Sequence, residues 1–191
     1  MPRTGTTTER PPHDGPASDP ALEPDLGPDP GPDTGPGADL VPELHHVGVQ
    51  TDDLDNCAAW YQEFFGCRTN WTLDTFSDLT LSRLPGITRL TEVMVAGLRF
   101  HLFERTGHDG AVPGANTRQF QHICLATGSP EELRAWRERW FRLYESGRFT
   151  FAGDEKPTDI VIDDDGVQSC YVLDVNGLEF EFTYVPPGGD R

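Results

Sequence analysis

The chain contains an internal repeat, and this feature limits its fold more than any other. A histidine interrupts an apolar run at residues 44–50, LHHVGVQ, and again at residues 120–126, FQHICLA. Each copy ends in a glycine followed by a strand-like run, GLRFHLFE at 97–104 and GLEFEFT at 177–183. The two copies have nearly the same length, because residues 46 and 122 lie 76 positions apart and residues 101 and 181 lie 80 apart. Such self-similarity indicates a fold built from two copies of one supersecondary unit.

The first 40 residues differ in composition from the rest of the 191-residue chain. They hold most of the prolines and no aromatic residue, so we expect a disordered acidic tail, with residues 41–191 forming one domain. The net charge of −17 argues against nucleic acid or an anionic membrane as a partner. No apolar run approaches the roughly 20 residues that span a membrane. Four cysteines without a CxxC pair indicate reduced thiols, and we expect a soluble, cytoplasmic protein.

Both copies predict the element order β-α-β-β-β, and therefore an α+β fold. In module 1, about residues 44–105, we expect strands at 44–50, 68–74, 88–95 and 98–104, a helix at 54–65 and an irregular loop at 77–86. Residues 106–116 are rich in glycine and polar residues, which predicts a linker. In module 2, about residues 118–186, we expect strands at 119–127, 149–151, 167–173 and 178–185 and a helix at 131–146.

Four potential metal ligands fall on matching strand faces. Side chains alternate between the two faces of a strand. In the two histidine-containing runs, the apolar residues therefore define the face that packs against the helix, and the other face is open. On this basis His46 and His101 of module 1 share an open face, and His122 and Glu181 of module 2 do the same. Gln50 and Arg99 lie on the open face of module 1 as well, whereas His45 is expected on the opposite face from His46 unless the register slips by one residue.

Longer motifs around these residues resemble those of the vicinal oxygen chelate superfamily, which includes glyoxalase I, extradiol dioxygenases and bleomycin-resistance proteins. The resemblance covers about residues 44–186. It rests on HVGV at 46–49, DLD at 53–55 leading to WY at 60–61 and FG at 65–66, FQHI at 120–123 and SCYVLDVNGLEFE at 169–181. It implies two paired modules whose sheets form a cup around one divalent metal ion, with His46, His122 and Glu181 at the family's ligand positions.

His101 departs from the family pattern, because a Glu or Gln stands at that position in the glyoxalase-like and epimerase-like members. As a ligand, His101 would complete a set of three imidazoles and one carboxylate, which suits Fe(II), Mn(II), Co(II), Ni(II) or Zn(II). As a proton carrier, it would leave the triad of two histidines and one carboxylate that Fe(II) oxygenases use.

Further candidate site residues follow from the residue pairing expected across the β-hairpins. If Ala96 and Gly97 form a two-residue turn, Glu92 faces His101 and serves as a general base or as the partner that orients this histidine. Tyr171 falls opposite Glu181, where it is a candidate donor to a bound oxyanion or a core tyrosine. Arg99 and Gln50 are candidate substrate contacts; Arg99 suits a carboxylate or phosphate, or it pairs with Glu92.

Three functions are compatible with this pattern. The first is a metal-dependent isomerase, epimerase or lyase of the glyoxalase type acting on a small oxygenated substrate, with Glu92 or Glu181 moving a proton. The second is an Fe(II)-dependent dioxygenase or other oxygenase with the same ligands. The third is a metal-free drug-binding resistance protein. The sequence leaves open whether the modules pair within one chain or exchange across a homodimer.

Overall fold

A computed structural model describes residues 43–107 and 120–188. The predicted tail at 1–40 and most of the predicted linker at 106–116 lie outside the described residues. The described residues of both modules belong to one compact unit. None of the described helices is long and apolar enough to cross a membrane.

Module 1 has the predicted β-α-β-β-β order with one additional short helix. Its elements are β1 (Val47–Thr51), α1 (Leu54–Phe65), β2 (Arg68–Leu73), α2 (Asp78–Arg83), β3 (Ile87–Val95) and β4 (Leu98–Arg105). Helix α1 begins where the Asp53 side chain accepts a hydrogen bond from the Asn56 amide, and it ends at Gly66, whose φ of 76° a glycine adopts without strain. The loop expected at 77–86 contains α2, which Ser77 caps through the Thr80 amide, so the expectation of an irregular loop was wrong there.

Module 2 repeats this order. Its elements are β5 (His122–Ala126), α3 (Pro130–Glu145), β6 (Val161–Ile162), β7 (Gln168–Leu173) and β8 (Glu179–Tyr184). Helix α3 starts as predicted, with Ser129 as the cap and Pro130 in the first turn. The strand expected at 149–151 was wrong, because the second strand of module 2 is β6. Phe149 and Phe151 instead pack against the core as partly buried residues.

Each module forms its own four-stranded mixed sheet. The strand orders are β1-β4-β3-β2 and β5-β8-β7-β6, with a parallel pair β1–β4 or β5–β8 and antiparallel pairs elsewhere. The predicted turn at Ala96 and Gly97 is confirmed, because Val95 pairs with Leu98. It places Glu92 opposite His101, as the hairpin arithmetic required. The α+β fold with two repeated modules is therefore confirmed.

The helix-side faces of the two sheets meet in one shared core. Phe100 of β4 and Phe180 of β8 are both buried, and their ring centroids lie 6.1 Å apart. Helix α1 lies between the sheets, so Phe65 packs 5.1 Å from the Phe180 ring, and the Tyr61 hydroxyl donates a 2.9 Å hydrogen bond to Asp174 in the β7–β8 turn. The buried residues of α1, which are Leu54, Cys57, Trp60, Tyr61, Phe64 and Phe65, form one stripe at helical spacing.

This packing decides where the open faces lie. His101 and Glu181 alternate with the buried Phe100 and Phe180, so they project from the opposite side of each strand. Because the helix-side faces meet, the two open faces turn away from each other. Among the residues that the structure describes, the open faces of the two modules therefore do not face a common centre.

Candidate metal centre

The open face of module 1 brings together His46 and His101. Their rings stack with centroids 3.7 Å apart and planes inclined by 11°. His46 lies just before β1 and is exposed, whereas the His101 side chain is only 16% exposed. Partial desolvation and the nearby imidazoles of His101 and His45 lower the pKa of His46, which favours the neutral ring that a metal ligand requires. We call His46, His101 and the adjoining Glu92 the module 1 half-site.

Glu92 is a buried carboxylate that holds His101. Its side chain is 1% exposed, and its Oε2 lies 2.9 Å from His101 Nε2. Its Oε1 accepts a 2.6 Å hydrogen bond from Asn70 Nδ2. The hydrogen bond from Asn70 is the main cause that lowers the pKa of Glu92, with further lowering from His101 and Arg99 against the opposing effect of burial. An ionised Glu92 fixes the proton of His101 on Nε2 and leaves Nδ1 as the free lone pair.

His45 lies on the same side as His46, so the expectation that it would face the other way was wrong. Its Nδ1 lies 2.9 Å from His46 Nδ1, and its ring centroid is 6.1 Å from that of His101. The physical reason is that β1 begins only at Val47. Strand alternation does not apply to unpaired backbone, so consecutive side chains there can converge.

The open face of module 2 brings together His122 and Glu181, which we call the module 2 half-site. His122 Nε2 lies 3.2 Å from Glu181 Oε2, and His122 Nδ1 lies 3.6 Å from Glu179 Oε1. Burial acts to raise the pKa of Glu181, but hydrogen bonds from Ser169, Thr183, Cys124 and Tyr171 outweigh it and hold the pKa below its usual value. Glu181 is therefore an ionised carboxylate beside an imidazole.

The spacing within the module 2 half-site fits a first-row metal ion. Two ligand atoms at about 2.1 Å from one ion are about 3.0 Å apart at a right angle and about 3.4 Å apart at the tetrahedral angle. The 3.2 Å between His122 Nε2 and Glu181 Oε2 falls inside this interval. The donors are imidazole and carboxylate, which suit Fe(II), Mn(II), Co(II), Ni(II) or Zn(II).

The remaining predicted site residues occupy the predicted faces. Tyr171 pairs with Glu181 across the β7–β8 hairpin, and its ring lies 5.6 Å from that of His122. Burial, followed by the Glu181 charge and hydrogen bond, raises the pKa of Tyr171, so its hydroxyl stays protonated and can donate. Arg99 is 40% exposed, with Nη1 3.9 Å from Glu92 Oε2. Gln50 accepts a 2.8 Å hydrogen bond from Arg105.

The four predicted ligands form two pairs rather than one cluster within the described part of the chain. Three or more His, Cys, Asp or Glu side chains converge there only at His45, His46 and His101, whose ligand atoms lie within 4.8 Å of one another. His122 and Glu181 form no part of that group, in agreement with open faces that turn away from each other.

Two residues that contact the module 1 half-site, Asn70 and Trp71, were not predicted from the sequence. The register of β2 against β3 shifts between Thr69 and Trp71, and this bulge directs both Asn70 and Trp71 to the side of Glu92. The Trp71 ring lies 5.0 Å from that of His101. Strict strand alternation would place Asn70 and Trp71 on opposite faces. A sequence-based prediction would therefore have needed the position of the bulge to place both beside Glu92. In module 2, Ser169 pairs with Thr183, so the residue pairing of the β7–β8 hairpin could have placed it from the sequence.

Fold and site together define a class: duplicated β-α-β-β-β proteins that carry histidines and carboxylates on the open faces of their sheets. The sequence profile of the glyoxalase/bleomycin resistance protein/dioxygenase superfamily matches residues 43–182. The chain therefore belongs to this superfamily, the vicinal oxygen chelate proteins.

Solved structures share the fold at low sequence identity. A glyoxylase/bleomycin resistance protein/dioxygenase domain from Frankia sp. EAN1pec is 16% identical with a TM-score of 0.59, over 78% of this chain and 95% of that one. The fosfomycin resistance protein FosX from Listeria monocytogenes is 18% identical with a TM-score of 0.55, over 80% and 100%. A glyoxalase family protein from Enterococcus faecalis is 15% identical with a TM-score of 0.53, over 74% and 96%. A search of curated proteins gave no match.

Proposed function

We propose that this protein is a divalent-metal-dependent enzyme of the glyoxalase type, an isomerase, epimerase or lyase that acts on a small oxygenated molecule. The observation that carries the proposal is the pair His122 and Glu181, whose facing atoms are 3.2 Å apart on an open sheet face. His46 and His101 supply two further imidazoles on the repeat-equivalent face of module 1. The ion is Fe(II), Mn(II), Co(II), Ni(II) or Zn(II), because imidazole-rich sites favour these metals over Mg²⁺ or Ca²⁺.

The catalytic centre is completed by a second copy of the chain. The open faces of one chain turn away from each other, so one ion is reached by four ligands only when module 1 of one protomer faces module 2 of another. Among the described strands, β1 and β5 lie at the edges of their sheets, which leaves backbone groups available for pairing. Leu44 and Phe120, each two residues before a ligand histidine, are 76% and 102% exposed. Apolar residues this exposed beside unpaired edges favour a homodimer.

The bound ion would supply Lewis-acid stabilisation of an enolate or alkoxide that develops on the substrate. The chain's own residues supply the rest. Glu181 is the ionised carboxylate that faces the substrate side and takes up a proton, whereas the buried Glu92 acts through His101 because it has no access to solvent. Tyr171 donates to a developing oxyanion, and the half-exposed Arg99 binds a substrate carboxylate or phosphate.

A second candidate is an Fe(II)-dependent oxygenase. The contact between His101 Nε2 and Glu92 Oε2 favours it, since a histidine held by a buried carboxylate can serve as a proton carrier. His46, His122 and Glu181 would then form the triad of two histidines and one carboxylate that leaves open positions on iron.

Elemental analysis of protein purified without oxygen separates the two candidates. We expect about one metal ion per chain. Loss of metal in His101→Ala supports four protein ligands and proton-transfer chemistry, whereas iron retained in His101→Ala supports the oxygenase. Absence of metal from the wild-type protein would overturn both candidates.

A mixed dimer tests the shared centre. One variant carries His46→Ala and His101→Ala, the other carries His122→Ala and Glu181→Ala, and two different tags allow purification of the heterodimer. If each centre combines module 1 of one chain with module 2 of the other, the heterodimer regains one complete centre, with wild-type metal affinity. If both halves of a centre come from the same chain, no complete centre returns.

A further inference from the structure

Three imidazoles converge in module 1, and two of them, His46 and His101, also belong to the proposed catalytic centre. His45 Nδ1 lies 2.9 Å from His46 Nδ1, the ring centroids of His46 and His101 are 3.7 Å apart, and a ligand atom of each lies within 4.8 Å of the others. All three belong to module 1, so no contribution from module 2 is needed to bring them together.

The positions of these rings suit metal binding. The 2.9 Å between the Nδ1 atoms of His45 and His46 lies close to the separation of about 3.0 Å expected for two ligands at a right angle on one ion. His45 and His46 are exposed and precede β1, so their side chains can rotate to close the remaining gap to His101. Glu92 Oε2 lies 2.9 Å from His101 Nε2, and a carboxylate partner of this kind is typical of metal-binding histidines.

We propose that module 1 alone binds a divalent metal ion through His45, His46 and His101. Three imidazoles with an open fourth position form the ligand set of tetrahedral Zn²⁺ sites that retain a water molecule. The site accordingly favours Zn²⁺ and other imidazole-seeking ions such as Co²⁺ or Ni²⁺.

This site shares His46 and His101 with the proposed catalytic centre, but it does not rest on that proposal. It lets a single chain hold its ion before a second copy contributes His122 and Glu181. Its distinguishing residue is His45, which the catalytic centre does not require.

Zinc titration of untagged protein tests the proposal, with Zn²⁺ alone as the probe and calorimetry as the readout. The parent carries His122→Ala and Glu181→Ala, which removes the module 2 ligands. We expect it to bind one Zn²⁺ per chain. Adding His45→Ala should weaken zinc binding by more than roughly 10- to 100-fold, the loss typical of removing a residue that hydrogen-bonds to a metal ligand. Adding His13→Ala, a histidine of the N-terminal segment, should leave the zinc affinity unchanged and controls for adventitious binding.

Each outcome is decisive. A parent that binds no zinc while the wild-type protein does would overturn the module 1 site and leave the four-ligand centre intact. Equal affinity with and without His45 would also overturn it. Retained zinc that depends on His45 would support the module 1 site. Circular dichroism checks that each variant keeps its fold.

Discussion

Replacing Glu92 with glutamine should weaken metal binding by changing the tautomer of His101. Ionised Glu92 accepts from Asn70 at Oε1 and from His101 Nε2 at Oε2. A glutamine has only one oxygen. When that oxygen accepts from Asn70, its amide NH₂ faces His101 and can only donate, which moves the imidazole proton from Nε2 to Nδ1. The lone pair that binds the ion is then lost.

Removing such a partner behind a histidine ligand typically lowers metal affinity by about 10- to 100-fold. This range corresponds to about 1.4–2.7 kcal/mol of binding free energy. Zinc titration of wild-type and Glu92→Gln protein measures it directly. Glu104→Gln is a control, because Glu104 is also a hydrogen-bonded carboxylate of module 1, but its side chain is 19% exposed and its partners are Arg89, Thr88 and the Leu54 amide.

The reasoning is refuted if folded Glu92→Gln binds zinc within about threefold of the wild-type affinity, well below the range typical of such a loss. It is also refuted if Glu104→Gln weakens zinc binding as much as Glu92→Gln does, since the effect would then follow from general destabilisation.

Two further predictions concern stability. Tyr61→Phe removes a hydrogen bond to the buried Asp174 carboxylate across the module boundary, so urea unfolding should show a loss of about 1.5–3 kcal/mol, against less than about 0.5 kcal/mol for the half-exposed Tyr144→Phe. Hydrogen bonds from Arg89 lower the pKa of Glu104 to about 2, from a model-peptide value of 4.5. The stability that this carboxylate contributes, at most about 3 kcal/mol, is therefore present above about pH 4.5 and lost as the pH falls towards 2, and Glu104→Gln should remove this pH dependence of the unfolding free energy.

The repeat and the strand alternation predicted the parts of the site that depend on regular structure. His101 and Glu92 face each other because a two-residue turn fixes the register of a hairpin. Tyr171 and Glu181 follow from the same arithmetic in module 2. Side chains in paired strands can be placed from the sequence because their period is two residues.

Irregular backbone and tertiary packing account for what the sequence did not predict. His45 joins His46 because pairing begins three residues later than expected, at Val47 rather than at residue 44, and Asn70 reaches Glu92 through a bulge that no residue pattern marks. The relative placement of the modules depends on aromatic contacts such as Phe100 with Phe180. Both residues are apolar under any arrangement of the modules, so their pattern alone does not distinguish a cup within one chain from one shared by two.

A crystal structure of the metal-loaded protein, with anomalous scattering to locate the ion, tests the central claim most directly. We predict one ion per chain, bound by His46 and His101 of one protomer and by His122 and Glu181 of a second protomer. An ion bound by all four residues of the same chain, or metal-loaded crystals in which His122 and Glu181 lie far from every ion, would contradict it.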